Sequence, residues 1–430
     1  PAGPVAGRPR RRGPGRASLT GTEGPAGLVT LEAVVGAAER VGPVLRPTPV
    51  DRSASISRLV GRPVLFKPEY RQRTGSFKIR GAYNHISRLP EGRSVVAGSA
   101  GNHAQGVALA AALTGRAATI FMPLSAALPK VEATRAYGAE VRLEGEVVDE
   151  CIAAARAFAA ETGAAYVPPF DDLDVIAGQA TTGLEILAEA PEAEVIVVPT
   201  GGGGLLAGVA AAVATAAWAG PGPRPRVIGV EAAGAPTLSA ALAAGHPVTL
   251  ERVATMADGI AVARCSRLTL AHAQAYVDAV VTVDEEEISR AMLLAVERAK
   301  AVVEPAGAAS LAAVMAERIP GTGPVVAVLS GGNVDPLLLT KMIEHGLSAA
   351  GRYLTLRVVM ADRVGALAGL TAELARLRLN VLDVEHHRSG LPLAVSEVEV
   401  QVTVETRDRA HHDEVVRALK GAGYHVDIYS

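Results

Sequence analysis

Aromatic residues are scarce in this chain: they make up 3% of its 430 residues, with a single tryptophan. Its cores must therefore be built from alanine, valine and leucine, which the hydrophobic share of 49% can supply. Cysteine is scarcer still, with only Cys151 and Cys265. Two thiols offer no disulfide framework, and their rarity agrees with a reducing, cytoplasmic setting. No apolar run reaches the ~18 residues of a membrane span. The Ala-rich stretch 205–220 falls short of it and follows a glycine loop. An excess of one charge is also missing, since 42 Lys and Arg face 44 Asp and Glu for a net charge of −2. Neither nucleic acid nor a membrane is an expected partner on that balance. Residues 1–25 depart from it, with Arg8, Arg10, Arg11, Arg12 and Arg16 among Gly and Pro. They read as a disordered basic tail. A secretory signal needs an apolar segment after its arginines, and Gly13-Pro14-Gly15 is not one.

A chain this long predicts two or three domains. From about residue 28 short apolar strands alternate with Ala-rich helices. The strands expected are Pro63–Lys67, Ser94–Ala97, Ala118–Met122, Glu140–Leu143, Val195–Pro199, Arg226–Val230 and Val325–Leu329. Helices are expected at 104–114, 147–161, 205–217 and 286–300. This alternation signals an α/β fold, a parallel sheet covered on both faces. Ligands of such sheets collect beyond the carboxyl ends of the strands. Near residue 345 the character changes. Residues 346–351, Gly-Leu-Ser-Ala-Ala-Gly, read as a linker. The remaining residues, 352–430, order as strand 353–360, helix 364–377, strands 381–387 and 395–404, helix 411–420 and strand 425–429. That is the ferredoxin-like βαββαβ unit.

Four segments carry chemistry. Lys78 lies in Thr74-Gly75-Ser76-Phe77-Lys78-Ile79-Arg80-Gly81-Ala82. Small neighbours let a ligand approach, and Phe77 supplies a dry wall. Desolvation makes such an amine neutral and reactive towards an aldehyde. Ser99-Ala100-Gly101-Asn102-His103-Ala104-Gln105-Gly106 follows a strand and opens a helix. Helix-start N–H groups bind anions, and the side chains of Ser99, Asn102 and His103 are expected to add donors for a carboxylate. Gly201-Gly202-Gly203-Gly204-Leu205 sits between a strand and a helix and suits a phosphate. It is not a P-loop, and the acidic residue of a dinucleotide site is missing about 20 positions on. Ser330-Gly331-Gly332-Asn333 ends a further strand with a hydroxyl that can meet a neutral ring nitrogen.

Each segment alone has a bland reading: a solvated lysine, a helix cap, a flexible loop. Together and in this order they resemble the fold-type II pyridoxal-phosphate enzymes, and within them the threonine dehydratases (threonine ammonia-lyases), over residues 28–345. The resemblance implies a two-lobed parallel-sheet domain over 26–345, its smaller lobe at about 62–165, acting as a carbon–nitrogen lyase on threonine and on serine as well. Pyridoxal 5'-phosphate is the implied cofactor, carried by Lys78 as the catalytic residue. Phe77 is implied beside its ring, Asn102 at its ring oxygen, Ser330 at its ring nitrogen, and Gly201, Gly202, Gly203, Gly204 and Leu205 around its phosphate. The implied substrate-carboxylate residues are Ser99, Gly101, Asn102 and His103. Glu304 reads either as an acid at the cofactor rim or as an ordinary helix-start acid.

Ala100 stands where related serine racemases carry an acid/base serine, which argues against racemization. Glu231 resembles the first ligand of their metal cluster, yet 232–237 offer no second carboxylate, so no metal is expected. His386 and His387 point to opposite faces of a strand and do not make a metal pair. Residues 352–430 resemble an ACT domain, on the turn Asp362-Arg363-Val364-Gly365-Ala366-Leu367. That resemblance implies a homo-oligomer, dimer or tetramer, and an amino-acid effector such as isoleucine or valine. A serine dehydratase, a β-replacing enzyme and an amino-acid sensor with a degenerate enzyme domain remain as alternatives.

Overall fold

The computed structural model describes residues 27–218, 220–349, 351–387, 394 and 396–429. The basic tail expected over 1–25 lies outside them. Among the described residues, fourteen strands form three sheets. In chain order they are β1 Asp51–Arg52, β2 Val64–Lys67, β3 Val95–Gly98, β4 Ala118–Met122, β5 Glu140–Leu143, β6 Ala165–Tyr166 and β7 Val195–Pro199. Then follow β8 Arg226–Ala232, β9 Ala279–Val283, β10 Val325–Val328, β11 Tyr353–Ala361, β12 Val381–His387, β13 Glu397–Glu405 and β14 His425–Ile428. The larger sheet has the order β1-β2-β10-β7-β8-β9, and a smaller one the order β5-β4-β3-β6. Every pairing in both is parallel except β1 with β2. Each expected apolar run is a strand, within a residue or two at its ends.

Burial on both faces explains why these strands read as unbroken apolar runs. Val195 and Val197 join one core with the helices Glu285–Leu294 and Pro305–Met315. Ile196 and Val198, pointing the other way, join a second core with the helix Gly204–Thr215. Without large rings, helices approach one another closely. A Cβ on Gly208 would stand 2.6 Å from the Ala180 nitrogen, and one on Gly178 would stand 2.6 Å from the Gly81 Cα. The helix Lys78–Ser87 therefore lies backbone to backbone on the helix Leu173–Glu189.

Beneath that contact is a buried ionic network. Arg80 is fully buried and bidentate to Glu69, also fully buried, at 2.7 and 2.8 Å. It is bidentate to Glu185 as well, at 2.6 and 2.8 Å, and reaches Thr181 and Thr48. Lys67 adds a contact to Glu185 at 2.6 Å. Burial opposes the charge on Arg80, but the two glutamates more than offset it and hold its pKa well above the ordinary value. The network fastens β2, the helix of Lys78 and the helix 173–189 to one another.

Residues 353–428 form a separate antiparallel sheet, β12-β13-β11-β14. The helices Ala366–Arg376 and Arg409–Gly421 bury Leu370, Leu374, Val415 and Leu419 in the core of this unit. That is the expected βαββαβ order.

Three expectations need correction. Pro63–Lys67 falls inside the range given to the smaller lobe, but β2 pairs with β10 in the larger sheet. The linker at 346–351 is helical over most of its length, because the helix Pro336–Ala349 runs into it and the turn comes at Gly351, with φ at 69°. The helix expected at 286–300 is α-helical only over Glu285–Leu294 and widens into a π turn, Ala295–Ala299, that stops at Lys300 in the left-handed region. β1, β6 and β9 are not among the expected strands; two of them are two residues long, and β9 is a half-buried edge.

Replacing Arg80 with Met strands the Glu69 carboxylate without its partner. The variant should lose about 3–5 kcal/mol, seen as a lower urea midpoint for the catalytic region with little change in the C-terminal unit.

Candidate active site

The segment Thr74–Phe77 meets the segment Leu329–Asn333 edge to edge. Phe77 N donates to Ser330 O at 3.1 Å and Gly332 N to Gly75 O at 2.9 Å, around an isolated bridge between Ser76 and Gly331. Gly75 has φ at 71°, and a Cβ there would fall 2.2 Å from the Asn333 side-chain oxygen. This packing seats Lys78 at the first turn of its helix, beside Ser330.

Both border a cavity of about 750 Å³ between the two parallel sheets, a size typical of small-molecule sites. Every cofactor and substrate residue implied by the sequence lines it: Phe77, Lys78, Ser99, Gly101, Asn102, His103, Gly201, Gly202, Gly203, Gly204, Leu205 and Ser330. Ala100 and Glu304 line it too.

The Lys78 amine donates to Pro169 O at 3.1 Å and lies 5.2 Å from the centroid of the Phe77 ring. Burial lowers its pKa to about 8, against an opposing pull from Glu304. Glu304 is pushed up to about 7, first by burial and then by Asp258, while Lys130, Asn102 and Lys78 hold it down. It occupies the N-cap position of the helix Pro305–Met315 but makes no side-chain cap. Its carboxylate turns into the cavity and accepts from Asn102 Nδ2 at 2.6 Å. Asn102 Oδ1 accepts in turn from Asn333 Nδ2 at 2.8 Å.

His103 departs from expectation. Its Nε2 donates to Val167 O at 2.9 Å, so the side chain is already engaged. Burial, with Lys78 nearby, lowers its pKa to about 3 and keeps the ring neutral. What His103 can offer a ligand is its backbone N–H, in the first turn of the helix Asn102–Leu113. That helix has Gly101 as its N-cap and no side-chain cap.

The four glycines are backed by apolar walls. A Cβ on Gly202 would overlap the Phe170 ring at 2.2 Å, one on Gly204 would stand 2.7 Å from Phe170, and one on Gly201 2.8 Å from Ile260. Gly203 has φ at 89° and caps the helix Gly204–Thr215 without a side chain. The loop thus presents an uncapped helix start over a cradle that no other residue type could form. That donor set fits a phosphate. The half-buried lysine and the neutral Ser330 hydroxyl fit an aldehyde-bearing pyridine, so the site suits pyridoxal 5'-phosphate.

Sequence reasoning placed Asn333 in a chemical segment without giving it a role, and it missed Phe170, Lys130 and Asp258. Phe170 carried a signal, being one of only five phenylalanines and following Pro168 and Pro169. Lys130 and Asp258 carried none; they lie 128 residues apart in the chain and form an ion pair across the cavity. Glu231, considered for a metal, caps the helix Thr237–Ala244 instead, accepting from Leu238 N, Ser239 N and Ser239 Oγ. His386 and His387 stand on β12 opposite Val400 and Glu399.

The pattern of the family described as pyridoxal-phosphate dependent enzyme matches residues 41–331, and that of the ACT domain matches residues 354–421. The chain is 43% identical to an L-threonine ammonia-lyase of Thermotoga maritima over 404 residues, covering 93% of this chain and all of that protein. An L-threonine ammonia-lyase of Geobacter sulfurreducens is 45% identical over 394 residues, 91% of this chain and 97% of that one. Among solved structures, the T.th. threonine deaminase superposes with a TM-score of 0.66 at 40% identity, over 71% of this chain and 98% of that chain. The chain therefore belongs to the fold-type II pyridoxal-phosphate dependent enzymes and carries a C-terminal ACT domain.

Proposed function

We propose that this chain is an L-threonine ammonia-lyase, which eliminates the β-hydroxyl of L-threonine to give 2-oxobutanoate and ammonia and which also accepts L-serine. The observation that carries the reading is the convergence of Lys78, the glycine cradle and an uncapped helix start on one cavity. Relatives of that activity align over nearly the whole chain.

Bound pyridoxal 5'-phosphate supplies an electron sink that makes the substrate's Cα proton removable. The protein does the rest. The backbone of Gly201–Leu205 would hold the phosphate, and Asn102, oriented by Glu304 and Asn333, would serve the ring oxygen. Ser330 offers the ring nitrogen a neutral hydroxyl. A neutral partner there, in place of a carboxylate, would favour β-elimination over transamination. The amides of Asn102 and His103, with the Ser99 hydroxyl that accepts from Gly101 N at 3.2 Å, receive the substrate carboxylate. The Lys78 amine, half neutral near pH 8 and already within the cavity, takes the proton from Cα. Ala100 has no proton to deliver to the opposite face, so the chemistry stays with elimination rather than racemization.

We assign catalysis to residues 26–345 and an amino-acid response to residues 352–430, with isoleucine or valine as effector. The protein is proposed to act in the cytoplasm as a dimer or tetramer. No described helix is long and apolar enough to cross a membrane.

Lys78→Ala should abolish release of 2-oxobutanoate from threonine while leaving the circular dichroism spectrum and the C-terminal unit unchanged. Residual turnover within tenfold of wild type, roughly 1.4 kcal/mol in barrier, would remove the lysine from its role. Product from serine only when a thiol is added would point to a β-replacing enzyme instead.

Because Lys78 reacts as the free amine, loading of cofactor-free protein should speed up with pH and reach half its plateau near pH 8. Visible absorbance follows this directly, and a midpoint near the ordinary lysine value would show that the cavity does not tune the amine.

Truncation after Gly351 should keep threonine turnover and lose any response to isoleucine or valine. The T.th. deaminase chain, covered almost whole by 71% of this one, supports a catalytic region that stands alone.

A further inference from the structure

The amides that receive the carboxylate bring only about half a positive charge. Two of the three side chains expected to help are engaged elsewhere: Asn102 with Glu304 and Asn333, His103 with Val167 O. The third, Ser99, accepts from Gly101 N at 3.2 Å and brings a hydroxyl but no charge. Glu304 faces the same cavity and adds negative charge whenever it ionises. A carboxylate leaving water for such a place needs a full countercharge.

One cation stands at that spot. Lys130, on the helix Leu128–Ala136, has a side chain only 14% exposed. Its Nζ lies 3.6 Å from where a Cβ on Gly101 would be, against the start of the helix Asn102–Leu113. The other cations lining the cavity are placed differently. Lys78 is held at Pro169 O, and Arg264 is exposed and donates to Thr249 Oγ1 at 3.1 Å. Lys130 is paired with Asp258, which is 55% exposed and belongs to the short 3-10 helix Asp258–Ile260.

We propose that Lys130 is the countercharge of the substrate's α-carboxylate and that Asp258 is its place-holder, exchanged for the carboxylate when an amino acid binds. The inference rests on the reading of this cavity as an amino-acid site. It makes Asp258 a competitor of the substrate. A structural clasp between the two residues would instead make them allies, and that difference in sign is measurable.

The test uses the full-length, cofactor-loaded protein and two readouts: KM and kcat for L-threonine, and the calorimetric Kd of L-alanine, which has no β-leaving group. Lys130→Met should raise both KM and Kd by about 10- to 100-fold, the loss of one charge-assisted hydrogen bond, with kcat far less affected. Lys130→Arg should recover most of the affinity. Asp258→Asn should lower KM and Kd, and unchanged values would remove Asp258 from the place-holder role. The proposal is overturned if Lys130→Met leaves both constants at the wild-type value, or if Asp258→Asn raises them in parallel with Lys130→Met. Wild-type protein that binds alanine in this Lys130-dependent way but does not deaminate threonine would refute the lyase reading and uphold this one.

Discussion

The position of the reactive lysine depends on an arginine that never touches the cavity. Arg80 lies two residues beyond Lys78 and is locked by two glutamates and two threonine hydroxyls. Charges buried this deeply are not a cheap source of stability, since desolvation cancels much of their attraction. What they provide is a single permitted geometry. The Gly81–Gly178 contact sets how close the two helices come, and Arg80 sets their rotation and register. Together they fix where the Lys78 side chain leaves its helix, while the Ser76–Gly331 bridge fixes the turn before it.

Around Lys78 the electrostatics share one tendency. The lysine is pushed down, Glu304 is pushed up, and His103 is pushed far down, in each case chiefly by burial. All three shifts favour the uncharged form. The groups closest to the reacting lysine are therefore biased toward their uncharged forms, while the amides of the glycine loop and the cation of Lys130 remain to meet the charges that a phosphate and a carboxylate bring in. Preorganised amides in such a place are worth more than they would be in water.

Local signals made much of this legible. Runs such as Val195–Pro199 are apolar at every position because both faces of their sheet are covered, and the glycines at 201–204 announce a loop whose walls tolerate no Cβ. Failures arose where the deciding contact is remote. Val64–Lys67 reads as a strand, but its place in the larger sheet is set by Val325–Val328, far along the chain. Glu304 reads equally as a cofactor-rim acid and as a helix-start acid, and the contact that decides between them comes from Asn102, 202 residues away. His103 promised a donor that the backbone of Val167 had already taken. The end of the helix at 295 was hidden for another reason: no proline or glycine marks it, and the break is made by a π turn and a left-handed Lys300.

The strand order has a temporal side as well. β10 comes last in the chain among the six strands of its sheet, yet it lies between β2 and β7 at the centre. Until it arrives, β2 has no parallel neighbour and the turn holding Ser330 has nothing to join. A polypeptide leaving the ribosome therefore carries its lysine motif through roughly 250 residues of further synthesis before the bridge from Gly331 can seat it. Closure over such a separation is slow compared with local folding. The bridge that seats Lys78 therefore cannot form until the last strand of its sheet has been made.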